Sequence, residues 1–133
     1  MSCICGWAGE RCGATDMHQI LDTMTHASRC PAQAEIQSAL HTSRGAAACG
    51  DLYSTSLHDE DGIVVLLLGT PDWKDASLSG TARTRTPAAA LAAAYRRFGI
   101  DLLAMLQGPF ALAILEKDTA LLAIDRAGIH TLS

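Results

Sequence analysis

Long apolar runs are missing from this sequence. The two longest, residues 63–68 and 109–115, are far too short to span a bilayer. Basic clusters are missing too, and aromatic residues make up only 5% of the chain. With a formal net charge of −4 at pH 7, the chain has neither the electrostatic footprint nor the stacking platforms of a nucleic-acid binder, and nothing that would draw it to an anionic membrane. The first residues lack a basic segment followed by a sustained apolar one, so no signal peptide is read. Five cysteines, an odd number, give no disulfide framework. A reduced, cytoplasmic protein is the simplest expectation.

What is present is material for a core. Apolar residues are 49% of the chain and charged residues 18%, which excludes a disordered chain. A length of 133 residues suits one domain, 1–133.

Residues 3–8 are short, apolar and closed by Gly9, the pattern of a buried strand. Thr15 can cap a helix over 16–26, where Met17, Ile20, Leu21 and Met24 fall at i, i+3, i+4 and i+7. Pro31 prevents its extension. Residues 35–40 and 45–52 are weaker strands, and 54–62 read as a polar surface turn. Residues 63–68 are β-branched and apolar throughout, a strand buried on both faces. The Ser- and Thr-rich stretch 74–85 reads as a long loop. Thr86 and Pro87 suit the cap and first position of a helix that runs to Phe98, with Gly99 closing it and Leu91, Tyr95 and Phe98 as its anchors. A short helix over 101–106 follows, then strands 110–115 and 120–124 joined by Glu116-Lys117-Asp118-Thr119 as a hairpin. Two helices between groups of strands predict an α+β domain. Strand 120–124 is an exposed edge in need of cover, from a second copy or another partner.

The chemistry rests on the cysteines. Cys3-x-Cys5 with Cys12 and His18 lacks structural-zinc spacing, and no second pair follows, so no metal is expected. Cys30 and Cys49 read as small buried hydrophobes. The histidines at 18, 26, 41, 58 and 130 are scattered and read as surface or helix-face residues. A nucleophilic thiol needs a lowered pKa or an adjacent base. The chain's own α-amino group, with an ordinary pKa of about 7.7–8.0, can serve as that base only for a cysteine at position one. Here four residues precede Cys5.

"CGWAG", Cys5 to Gly9, resembles the opening of the glutamine amidotransferase domain of asparagine synthetases, a class II, N-terminal-nucleophile type. The stretch from Ala92 to Leu132 is similar to a second segment of that family through Tyr95, Gly99, Leu106, Gly108, Phe110, Ala111, Asp125, Arg126, Gly128 and Ile129. The two ends together cover most of the chain. The resemblance implies a shortened Ntn-hydrolase-like αββα sandwich with Cys5 in the nucleophile's place. It implies a substrate-carboxylate arginine near Arg44, a residue that otherwise reads as a surface arginine. Leu68, Gly69 and Thr70 then stand where the family has its oxyanion Asn-Gly-Glu, and Arg85 where an Asp would hold the substrate's ammonium. After the first helix, Ser28-Arg29-Cys30-Pro31-Ala32 replaces His-Arg-Gly-Pro-Asp.

Those replacements fall on chemistry rather than on frame. One lost oxyanion donor costs about 10²–10³ in rate, and Arg85 would repel an ammonium group. An internal Cys5 lacks its α-amino base. The resemblance therefore implies a degenerate domain, inactive on glutamine. It would be a scaffold or docking module for an asparagine-synthetase-like, ATP-dependent amide-forming enzyme, as in β-lactam synthetases and lasso-peptide cyclases. No cofactor is expected on this chain; ATP and Mg²⁺ would act only through a synthetase domain, whose Ser-Gly-Gly-x-Asp-Ser loop is not in this sequence. The family's domain continues past the Gly128-Ile129 turn with further strands, so a fragment or one half of a split enzyme is among the expectations. Two alternatives stay open: an active hydrolase whose nucleophile is Cys5 after removal of residues 1–4, and a small oligomeric binding module.

Overall fold

Period-two alternation along two central strands divides the core into two apolar layers. The computed structural model describes residues 2–9, 16–28, 30, 34–51, 53–128 and 130. Its elements run β1 (Cys3–Ala8), α1 (Met17–Ala27), β2 (Glu35–His41), β3 (Arg44–Gly50), β4 (Thr55–Glu60), β5 (Ile63–Gly69), β6 (Asp72–Trp73), α2 (Ala76–Thr84), α3 (Pro87–Phe98), a 3-10 helix (Gly99–Met105), β7 (Leu106–Gln107), β8 (Phe110–Leu115) and β9 (Ala120–Ile124). The strands form a three-stranded antiparallel sheet in the order β1-β3-β2 and a four-stranded one in the order β4-β5-β8-β9, with β6 and β7 as a small separate pair. The architecture is α+β.

On β5, Ile63, Val65 and Leu67 join Phe110, Leu112 and Ile114 of β8 in one cluster beneath Leu78 of α2 and Leu91 of α3. The intervening Val64 and Leu66 point the other way, with Ala113 and Leu115, and meet Ala39, Ala46 and Ala48 of the second sheet. The alanines make the second sheet's contact face shallow, and the larger Val and Leu side chains of the four-stranded sheet pack against it. Helix α1 packs on the outer side of β1 and β3. The layers therefore run α1, three-stranded sheet, four-stranded sheet, α2 with α3.

The strand at 3–8, the hairpin at 110–124 and helix α3 with its Thr86 cap lie where the sequence predicts them. Four expectations change. The polar stretch 54–62 is strand β4 for most of its length, because ladder hydrogen bonds to β5 use the backbone and tolerate polar side chains; Thr55 and Ser56 are buried there. The expected loop 74–85 holds helix α2, capped by the Asp75 carboxylate, which accepts from the Ser77 and Leu78 amides. Only Leu78 of α2 is buried, so the helix carries almost no periodic signal. Helix α1 is capped by Asp16, which accepts from the His18 amide at 2.9 Å; Thr15, the expected cap, lies outside the described residues. The short helix expected over 101–106 is a 3-10 helix that starts at Gly99.

Strand β9 is an edge, as expected. Its Leu121 and Ala123 pack toward the helices, while Leu122 and Ile124 are 61% and 46% exposed on the opposite face. No helix among the described residues is long and apolar enough to cross a membrane.

Candidate functional site

Cys5 is the third residue of β1 and lies opposite Ala47 in the antiparallel ladder with β3. Alternation sends Ile4 between the sheets and Cys3 and Cys5 toward α1. The Cys5 sulfur lies 3.9 Å from the Thr25 Oγ1 of α1, and that hydroxyl donates to the Leu21 carbonyl at 2.8 Å. Burial pushes the Cys5 thiol above the ordinary range, and the hydroxyls of Thr25 and Ser28 offset only part of that. No histidine or carboxylate contacts the thiol among the described residues. A half-buried thiol of this kind is protonated at neutral pH and a poor nucleophile.

Cys3 stands two residues away on the same face, directly across the ladder from Cys49. Its thiol is likewise raised, chiefly by burial and then by the neighbouring Cys5. Cys49 forms a disulfide with Cys30, with Cα atoms 6.1 Å apart. That overturns the expectation of two unpaired hydrophobes: β3 and the segment after α1 bring together residues 19 apart in sequence. The sulfurs of Cys3, Cys30 and Cys49 all lie within 4.8 Å of one another. His18 takes no part in this group. It sits in the first turn of α1, and Cys12 lies outside the described residues.

The remaining positions singled out by the resemblance are not brought to Cys5. By alternation Leu68 lies on the same face of β5 as Val64 and Leu66, toward the three-stranded sheet, whereas Cys5 lies on the far face of that sheet, toward α1. Gly69 donates its amide to the Ser54 carbonyl at 2.7 Å, and Thr70 donates to the Pro109 carbonyl at 3.2 Å. Both amides are thus spent on the fold. Gly69 has φ +101, and a Cβ there would meet the Pro109 oxygen, so the residue answers a backbone requirement. Arg85 follows α2 and donates to the Glu60 carboxylate at 3.3 Å in an exposed ion pair.

Arg44 opens β3 at the opposite end from Gly50, paired with Ala8. It is only 6% exposed, which corrects the expectation of a surface arginine. Its Nε has no hydrogen-bond partner among the described residues. The side chain lines a cleft of about 810 Å³ shared with Asp16, His18, His41, Gly62 and Lys117. His41 is held there by Asp59 at 2.9 Å. A second cleft of about 560 Å³ lies between the 3-10 helix and the β8–β9 end, beside Lys74, Asp125 and Arg126. Asp125 serves the fold: its carboxylate accepts from the Phe110 and Ala127 amides at 3.2 and 2.8 Å.

Sequence reasoning missed the thiol group and the burial of Arg44. One signal for the first was available: Cys3 and Cys5, two apart on a strand, must share a face. The partners from β3 and from beyond α1 depend on register and could not be read. Comparison with protein-family models, with curated proteins and with solved structures finds no match for this chain.

Proposed function

We propose that this chain is a catalytically silent amidotransferase-type domain of N-terminal-nucleophile architecture. It serves as a scaffold or docking module for a cytoplasmic, asparagine-synthetase-like enzyme that forms amides with ATP on a peptide or small carboxylate. The layer order, helix then two antiparallel sheets then helices, supports the fold half of this reading. The observation that carries the silent half is Cys5. It sits within β1 under α1, with a raised thiol and no described base in contact. The amides of Gly69 and Thr70 being engaged by protein carbonyls supports the same conclusion. The docking surface in this reading is the open β9 edge with Leu122 and Ile124.

The test is glutamate release from glutamine by the purified chain, with intact mass recorded on the same sample. No release above a Cys5→Ser control is expected, on a chain that retains the residues before Cys5. Clear release that Cys5→Ser abolishes overturns the reading, and a mature chain starting at Cys5 would then identify an active hydrolase.

The exposed apolar edge of β9 also favours a second reading, a small module that pairs with its own copy. Light scattering that finds only monomer removes it.

A further inference from the structure

We propose that the reduced chain carries a thiolate site for a soft d¹⁰ cation, Zn²⁺ or Cu⁺, built from Cys3, Cys30 and Cys49. The three sulfurs already converge within 4.8 Å. In a tetrahedral thiolate site with metal–sulfur bonds of about 2.3 Å, sulfurs stand about 3.8 Å apart. Cys3 therefore needs to close by no more than about 1 Å, while Cys30 and Cys49 part from bonding contact to the same spacing. The β1–β3 ladder sets Cys3 directly opposite Cys49, and Cys30 enters from beyond the C-terminal end of α1. Cys5, two residues along the same face, is the other free thiol among the described residues, with its sulfur against Thr25.

The chemistry balances. A dithiol reductant gives two electrons and two protons to the Cys30–Cys49 bond, becomes a disulfide itself, and leaves two thiols. The cation then takes three thiolates, and three protons leave to solvent. Thiolates select soft cations over hard ones such as Mg²⁺. In a reducing compartment a converging thiol group of this kind is more often a metal site than a disulfide framework. The inference shares only the cytoplasmic placement with the amidotransferase reading, and the experiment below is indifferent to glutaminase activity.

The full chain is reduced anaerobically with a dithiol, freed of reductant, and titrated with Zn²⁺ or Cu⁺ against a chromophoric chelator for each ion. One equivalent of one of these ions is expected to bind more tightly than about 1 μM. Cys3→Ser, which keeps the Cys30–Cys49 pair, is expected to weaken binding at least about tenfold. Absence of stoichiometric binding by either ion overturns the proposal, as does a Cys3→Ser chain that binds as tightly as its parent. A second readout needs no variant: the loaded parent is alkylated and its cysteines mapped by mass. Joint protection of Cys3, Cys30 and Cys49 is expected. Labelling of Cys3 as fast as in the metal-free chain sinks the site.

Discussion

The Ser56 hydroxyl on β4 accepts a hydrogen bond from the Ala88 amide of α3 at 3.2 Å. That bond completes the start of the helix. Pro87 has no amide hydrogen to satisfy, Ala89 donates to the Thr86 hydroxyl, and Ala90 donates to the Thr86 carbonyl. The first-turn donors are thus accounted for, one of them by a strand of the adjoining sheet. Ser56→Ala leaves the fully buried Ala88 amide without an acceptor and is expected to cost about 1–3 kcal/mol. Thr86→Ala should cost about 1 kcal/mol. Urea unfolding of both variants checks this, and a Ser56→Ala loss below about 0.5 kcal/mol would mean that the bond contributes nothing net.

Gly45 on β3 faces Trp7 on β1, and any Cβ there would overlap the indole ring. Gly45→Ala is expected to destabilise by about 1–3 kcal/mol through overpacking. In a double-mutant cycle, Trp7→Ala should relieve much of that penalty. Additive losses in the two variants would show that the ring does not limit the position.

Three surface carboxylates sit below the ordinary carboxylate range. The Ser77 hydroxyl and two amides hold Asp75 down, the Ser54 hydroxyl and amide hold Asp51 down, and Arg85 holds Glu60 down. Their folded pKa values lie under their unfolded ones, so the stability they contribute is present above the unfolded range, about 4. It is lost as pH falls through the folded values. Asp75→Asn keeps a capping oxygen but does not titrate. The variant is expected to show a shallower fall in unfolding midpoint below about pH 4 than the parent. An unchanged slope would assign the acid sensitivity to other groups.

Arg44 is buried, and its Nε has no hydrogen-bond partner among the described residues. A buried Nε without an acceptor costs stability, and an apolar side chain of similar length removes that cost. Arg44→Met is expected to raise the urea midpoint of the ligand-free chain. A loss of more than about 1 kcal/mol would mean that the guanidinium makes a structural bond of its own.

Local signals carried much of the fold. Strand β1, helix α3 and the β8–β9 hairpin were legible because caps, proline, turn residues and short apolar runs act within a few neighbours. Strand β4 and helix α2 were not. The first is polar and is held by backbone pairing to β5, and the second buries only Leu78. For the site, the sequence marked Cys5 through a resemblance but was silent on its surroundings. Which face a thiol occupies follows from alternation; what waits there depends on which helix lands on that face.

An α+β chain with a substantial core, apolar runs too short to span a bilayer, and a cap at Thr86 for the start of α3 were all legible in the amino-acid order. These follow from composition, run length and neighbours within one helical turn. The meeting of Cys30 with Cys49 beside Cys3, the burial of Arg44 in a cleft, and the capture of the Gly69 and Thr70 amides by Ser54 and Pro109 emerge with the folded chain. Each of these relations joins residues distant along the chain, and strand register and layer packing, not local propensity, set the distances between them.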